Sequence, residues 1–209
     1  TYSEDRTCAA DENIMNSTRS TDFITPKSKV SRNFRNAVLD LARDQAFARR
    51  LVNSGRLSVP SFLTQSRLNT PDTDNFHGRM VPGAPVDDAP IVINGKDDWL
   101  LHHLGNRFVL LVFANEAQDL SEDLREALVA LGNQAIAVQA MVVTQHGGNV
   151  AGLPVLADPK GLVEHRFDGK AGTAVLIRPD QHVAARWRRF DPVAVRSAVA
   201  RATCQPIAA

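Results

Sequence analysis

The sequence predicts an α/β protein in which a mixed sheet flanked by helices forms the later part of the chain and two helices with no sheet of their own precede it. Three observations carry this expectation. Continuous apolar runs of strand length, Phe108-Val-Leu-Leu-Val-Phe113 and Ala135 to Val143, are separated by one helical pattern, the layout of a parallel unit covered on both faces. Pro179-Asp180-Gln181 offers turn chemistry between two further strand-like segments. The opening residues instead carry helical spacing and then give way to a stretch rich in Pro, Ser, Asn, Thr and Asp.

In the first helix Ser3 is a cap, Glu4 and Asp5 suit the positive end of the helix dipole, and Ala9, Ala10, Asn13 and Ile14 continue the pattern. It is expected to fade near Ser17 to Thr21, and Pro26 stops any continuation. Ser31 is read as the N-cap of a second helix. Its stripe is Phe34, Val38, Leu41 and Gln45 with Phe47 and Leu51, and Asn53-Ser54-Gly55 ends it with a left-handed cap. Residues 1–55 are thus a helical part and residues 56–88 a connecting segment. There Pro60, Pro71, Pro82 and Pro85 forbid long regular structure, while Leu57, Val59, Phe62, Leu63, Leu68, Phe76 and Met80 would be wasted in a free linker.

Residues 89–209 are the sheet domain. Pro90 to Ile93 reads as a strand, and Asp97 or Asp98 as the cap of a short helix from Trp99 to Leu104 that stops at Gly105. After the strand at Phe108 to Phe113, Leu120, Leu124, Ala127, Leu128 and Leu131 mark one helix face that Gly132 terminates. The strand from Ala135 to Val143 is followed by a polar loop, Thr144 to Asn149. A short extended segment follows at Leu153 to Ala157, then a helical turn at Pro159 to Phe167 and a strand at Ala174 to Arg178. His182 to Trp187 returns antiparallel, and Asp191-Pro192 opens the last helix in cap-then-proline order, with Val195, Ala198, Val199 and Ala202 inward. This succession describes a thioredoxin-like domain.

Composition excludes several functions. The 24 basic and 23 acidic side chains give a net charge of +1, which makes no electrostatic case for nucleic acid or an anionic membrane. No run approaches the roughly 18 apolar residues of a membrane-spanning helix, and Thr1 to Ala10 is polar rather than signal-like, so a soluble cytoplasmic protein is expected. Cys8 and Cys204 stand at opposite ends of the chain, too far apart in sequence to argue a disulfide framework or a zinc site.

A thioredoxin-like oxidoreductase needs a thiolate where the first central strand meets its helix. That junction reads Phe113-Ala114-Asn115-Glu116-Ala117-Gln118, and the place of the cis-proline before the third strand reads Ala171-Gly172-Thr173. His146-Gly147-Gly148-Asn149 lacks the helix and spacing of a phosphate loop. The histidines at 77, 102, 103, 146, 165 and 182 show no metal-ligand spacing, and His102 and His103, adjacent on a helix, are expected to point apart. Asp87-Asp88 and Asp97-Asp98 are read as solvation and capping rather than acid-base pairs. Arg186, Arg188 and Arg189 around Trp187 admit an anion or partner site, but a solvated strand edge is the expected role. No catalytic residue and no metal ligand is assigned, and any cofactor-binding residue is left unknown.

Several stretches taken together resemble a known family. Tyr2-Ser-Glu-Asp-Arg6, Ala9-Ala-Asp-Glu-Asn-Ile14 and Asn16-Ser-Thr-Arg-Ser-Thr-Asp-Phe-Ile-Thr-Pro26 resemble the segment after the flavin-contacting Gly-Asp motif of class A flavoprotein monooxygenases, including those related to phenol hydroxylase and 3-(3-hydroxyphenyl)propionate hydroxylase. Phe34 to Leu51, Asn53-Ser-Gly-Arg-Leu-Ser58 and Met80-Val-Pro-Gly-Ala-Pro85 resemble their late helix and the entry to their C-terminal domain. Trp99-Leu-Leu-His-His-Leu-Gly105 and Arg178-Pro-Asp-Gln-His-Val-Ala-Ala-Arg-Trp187 resemble their thioredoxin-like tail.

The resemblance implies a parent enzyme in which NADPH or NADH reduces FAD and oxygen is delivered to a phenol-like ring, the chemistry belonging largely to the cofactor. It also implies that the two leading helices are left over from an FAD-binding domain. The family's Gly-x-Gly-x-x-Gly, Asp-Gly and Gly-Asp motifs lie before the matching segments. This chain alone is therefore expected to bind no cofactor, its partner being the FAD-binding portion of the same protein, with a homo-oligomer also open. The alternative is a freestanding, non-catalytic thioredoxin-like interaction or dimerisation module. A true thiol redox enzyme would need a cysteine at the strand-helix junction.

Overall fold

The computed structural model describes residues 2–52 and 60–206, so the expected cap Asn53-Ser54-Gly55 and the side chains of Leu57 and Val59 lie outside the described residues. The chain folds as two units, one of Tyr2–Ser61 and one from Phe62 onward.

Among the described residues the first unit is three helices, α1 (Tyr2–Ile24), α2 (Lys29–Asp44) and α3 (Ala46–Val52). α1 runs past the Ser17 to Thr21 region where it was expected to fade. No Gly or Pro occurs there, and the main-chain N–H and the hydroxyl of Thr25 both donate to Thr21 O at 2.8 Å, closing the last turn before Pro26. α2 starts a turn earlier than expected: Ser28, not Ser31, is the N-cap, and its hydroxyl accepts the N–H of Ser31 at 3.0 Å. Nor does α2 continue to Leu51. Gln45 is extended (φ −110, ψ 115), and the freed carbonyls of Ala42 and Arg43 accept from the Arg49 guanidinium at 3.0 and 2.9 Å. Val38 and Ala48 are buried, whereas Phe34, Leu41, Phe47 and Leu51 of the predicted stripe are exposed.

The second unit is built on a seven-stranded mixed sheet. Its strands are β1 (Pro90–Ile93), β2 (Lys96–Trp99), β3 (Phe108–Phe113), β4 (Val138–Thr144), β5 (Val155–Ala157), β6 (Ala174–Ile177) and β7 (Val183–Trp187), in the order β2-β1-β5-β4-β3-β6-β7. The helices α4 (Glu122–Ala130), α5 (Leu162–Phe167) and α6 (Pro192–Ala202) flank it. β3 and β4 pair in parallel across the α4 crossover, and β6 and β7 add antiparallel on the other side of β3. That arrangement is the thioredoxin-like core the element order predicted.

Every residue of β3 is buried, and its side chains alternate between two layers. Val109, Leu111 and Phe113 face a cluster with Met141, Val143 and Phe167. Phe108, Leu110 and Val112 face Leu128 of α4 and Val195, Ala198 and Val199 of α6. α6 is capped as expected, the Asp191 carboxylate accepting Val193 N–H at 2.8 Å with Pro192 in the first turn.

One element differs in kind. Lys96–Trp99 is a strand rather than the start of a helix, and only Leu100–His103 forms a single 3-10 turn. Asn94 and Gly95 take φ of 51 and 75, the paired left-handed geometry of a two-residue hairpin, which turns β1 back on itself as β2.

Residues 62–88 are packed against the sheet. Leu63, Leu68, Met80, Ala84 and Val86 are buried, and the segment bonds along the outer edge of β7. Thr70 N–H donates to Ala184 O (2.8 Å), Gly83 N–H to Val183 O (2.7 Å) and Val86 N–H to Gln181 O (2.9 Å), while Ala84 O accepts from Val183 N–H (2.9 Å). These main-chain groups on the β7 side of the sheet are thereby satisfied by the chain itself.

Gly83 has φ +89, and a Cβ there would stand 2.3 Å from the backbone oxygen of Leu63, whereas Gly95, at φ +75, faces open space. Gly83→Ala is expected to cost about 3 kcal/mol or more by clash added to strain, and Gly95→Ala only about 1 kcal/mol by strain alone. Urea denaturation of the two variants checks the difference.

Candidate functional site

The place where thioredoxin-like folds do chemistry is the C-terminal end of β3. Ala114 N–H donates to Val143 O at 3.0 Å, and Glu116 and Asp119 form a reciprocal capping box around the 3-10 turn Ala117–Asp119. The facing loop closes on the same strand end: Gly172 N–H donates to Phe113 O at 2.8 Å and Phe113 N–H to Thr173 O at 2.9 Å. No peptide bond is cis among the described residues. Between them lies a hollow of about 180 Å³ lined by Phe113, Asn115, Glu116, Thr144, Asp158 and Glu164 among others.

Its buried polar groups are committed to structure. Asp158 is 2% exposed and takes the N–H groups of Leu162 and Glu164, each at 2.9 Å, which caps α5. Thr144 Oγ1 accepts Gly147 N–H and donates to Gly147 O, both at 2.9 Å, and so holds the His146-Gly147-Gly148-Asn149 loop as a turn. Gly169 is required beneath the hollow, since a Cβ there would meet the Phe113 ring at 2.4 Å. Both cysteines are exposed and lie elsewhere. The lining of the hollow contains no thiol.

The arginines around Trp187 are not the solvated edge the sequence suggested. Arg186 is buried and forms a fork with Asp72, Nε at 3.0 Å from Oδ1 and a terminal nitrogen at 2.6 Å from Oδ2, while its other arm donates to Met80 O at 3.1 Å. Arg188 pairs with Asp168, donates to Asn75 O at 2.9 Å and Asp168 O at 2.6 Å, and gives its main-chain N–H to Asp74 Oδ2 at 2.8 Å. Both guanidinium groups stack on Phe76, with their carbons 4.4 and 3.9 Å from the ring centroid.

Asp168 caps α5 in a left-handed conformation and accepts His77 N–H at 2.9 Å. That bond, and then Arg188, hold its carboxyl below the usual carboxylate range. Arg189 alone of the three arginines is exposed. The anion partners left open by the sequence are therefore supplied by the chain's own Asp72, for Arg186, and Asp168, for Arg188. Aspartates spaced along a proline-bearing segment before a Phe are the signal that could have suggested the first.

His102 and His103 do not diverge. The 3-10 turn sets both rings toward one carboxylate, His102 Nδ1 2.6 Å from Asp98 Oδ1 and His103 Nε2 2.9 Å from Asp98 Oδ2. The His102 bond, with the Trp99 N–H, lowers the Asp98 pKa from 3.8 to about 2. Of the other paired carboxylates, Asp87 meets Arg79, and Asp88 Oδ1 accepts Ala89 and Leu101 N–H groups at 2.9 and 3.0 Å. Among the described residues no group of three or more His, Cys, Asp or Glu could hold a metal ion, and no helix is long and apolar enough to cross a membrane.

The fold and this junction define a thioredoxin-like domain without a thiol at the end of β3. Residues 78–202 match the HcaD C-terminal domain, and the chain belongs to that family. No protein of curated function matches it. Among solved structures it is similar to the flavin-dependent monooxygenase PieE in complex with FAD and substrate, at 23% identity and a TM-score of 0.58 over 88% of this chain and 32% of that one. It is also similar to aklavinone-11 hydroxylase in complex with FAD and aklavinone (20%, TM-score 0.51, 82% and 34%) and to the rebeccamycin biosynthetic enzyme RebC with reduced flavin (18%, TM-score 0.51, 91% and 33%). The chain spans about a third of the length of each, and what is shared is the fold.

Arg186→Met is expected to lower stability by about 3 kcal/mol, since it leaves Asp72 and Met80 O without their partner. Arg189→Met should change it by less than about 0.5 kcal/mol. Limited proteolysis at residues 70–80 should accelerate only in the first variant. The depressed Asp98 carboxyl contributes stability that is present above pH 3.8 and lost as pH falls through about 2. Asp98→Asn should flatten melting temperature against pH across that window.

Proposed function

We propose that this chain is the C-terminal portion of an FAD- and NAD(P)H-dependent monooxygenase that hydroxylates a phenol-like aromatic substrate, and that the portion itself is structural and non-catalytic. The observation that supports this most is the shared architecture with a flavin-dependent monooxygenase, a hydroxylase in complex with FAD and a biosynthetic enzyme with reduced flavin, each matched over more than 80% of this chain but only about a third of its own length. Membership of the HcaD C-terminal domain family points the same way.

The residues present do not form a cradle for FAD. No Gly-x-Gly-x-x-Gly follows a strand, and the hollow at the end of β3 has its buried carboxylate and hydroxyl engaged in caps. Bound in the parent, the flavin would supply hydride acceptance and oxygen activation. This chain's part is packing: a sheet that seals its own edge and helices that present apolar faces. Its working compartment is taken as the cytoplasm.

The coding sequence immediately upstream of Thr1 is expected to continue in frame through a Gly-Asp motif to a strand followed by Gly-x-Gly-x-x-Gly. The longer product should be yellow and should oxidise NADPH or NADH when given a phenol, whereas the chain alone should be colourless and inactive. A colourless longer product that consumes neither nucleotide with any phenol would favour a freestanding interaction module instead.

A further inference from the structure

A second concavity lies along α6, away from the end of β3. It encloses about 460 Å³, within the range of small-molecule sites. The buried Leu131, Val138 and Val199 line it with the half-buried Ile136 and the exposed Val193 and Pro206. Val193 is one of three large hydrophobic side chains left exposed from Phe62 onward among the described residues, the others being Phe62 and Trp99. The groove lies wholly in the sheet unit, so it stands whether or not the flavin reading does.

Its shape and its charge select a ligand. Val193, Arg196 and Ala200 follow one line of α6, at i, i+3 and i+7, and the seven steps from 193 to 200 cover roughly 10 Å, with Pro206 further along. The groove is therefore long rather than round, and among the described residues its apolar lining is aliphatic, with no ring to stack on a flat ligand. One charged side chain lines it, the Arg196 guanidinium. Arg186 and Arg188 are each paired with a carboxylate, whereas the exposed Arg196 has no ion pair or hydrogen bond among the described residues. α6 itself carries no acid, and Asp191 before it is engaged with the Val193 N–H at 2.8 Å.

We propose that this groove binds a medium-chain fatty carboxylate, its chain laid along the aliphatic walls and its head group on Arg196. The two parts contribute unequally. An ion pair at an exposed arginine strengthens binding by up to about fivefold, while each methylene taken out of water adds up to about fourfold. Chain length therefore sets the affinity, and Arg196 sets the choice of head group.

Titration of the full chain with sodium decanoate below its micellar concentration, followed by amide chemical shifts, tests the proposal. Saturable shifts should be confined to residues 131–138 and 193–206, and octanoate should bind about tenfold more weakly than decanoate. Arg196→Gln should weaken decanoate about fivefold and leave the affinity for decyltrimethylammonium, a cation of equal chain length, no lower than before. Ala200→Leu, which fills the groove, should abolish decanoate binding while the shifts of β3 and β4 stay in place. Should that variant fail to fold, Arg196→Gln, at an exposed position, carries the test.

Decanoate affinity indifferent to Arg196→Gln would overturn the proposal, as would shifts gathered on residues 29–52, where exposed Phe34 and Phe47 offer a detergent-like surface. Benzoate bound at the groove more tightly than decanoate would give the site to ring-bearing acids and overturn the chain assignment. Shifts at residues 193–206 that grow with protein concentration in the absence of decanoate would assign the groove to a second copy and overturn it as well.

Discussion

The contact on which the sheet unit most depends is the stacking of two guanidinium groups on one phenyl ring. Phe76 has no place in the core, yet Arg186 and Arg188 both stack on it, and each arginine is tied in turn to a carboxylate. Because Arg186 is buried, the charge must be matched, and Asp72 and Met80 O match it. That requirement fixes residues 72–80 against β7. Once they are fixed, Thr70, Gly83, Ala84 and Val86 fall into line with the backbone of the edge strand, and Met80, Ala84 and Val86 enter the cluster that packs on Phe113 and Phe167. An irregular, proline-bearing segment thus becomes part of a sheet through a few charge-assisted bonds rather than through any strand propensity of its own.

How much of this was legible in the sequence depended on the range of the interactions. β3, β4 and the hairpin of β6 and β7 were readable because a strand covered on both faces is apolar throughout, and because Asp191-Pro192 and Pro179-Asp180 are local signals. The β1 and β2 hairpin had an equally local signal in Asn94-Gly95, overshadowed by two aspartates that suit a helix cap as well as a strand edge. The arginine clasp was not legible, since Asp72 and Asp74 lie more than a hundred residues away in sequence and the same Arg-Trp-Arg-Arg string suits an exposed edge. The breaks among the helices failed for a related reason. The interruption at Gln45 comes from Arg49 folding back onto α2 carbonyls, a side-chain event that helical periodicity does not register.

The absence of a thiol at the end of β3 could be read directly, and the geometry adds what replaced it. A capping box, a backbone clasp to the Gly172 loop and the carboxylate cap of α5 occupy the polar groups that a reactive site would need free. The strand end thus keeps the thioredoxin-like arrangement with its polar groups engaged in caps and turns.

The other end of the sheet carries its own consequence. β7 is sealed, but β2 is an outermost strand with nothing beyond it in the sheet, only four residues long and reading Lys-Asp-Asp-Trp. A second molecule approaching edge to edge would set strand against strand with aspartates at close range and few backbone groups to gain, so stacking of sheets into fibres is disfavoured at the only lateral opening the sheet order leaves. The two borders of one sheet therefore solve the same colloidal problem by opposite means, one by being covered and the other by being short and charged.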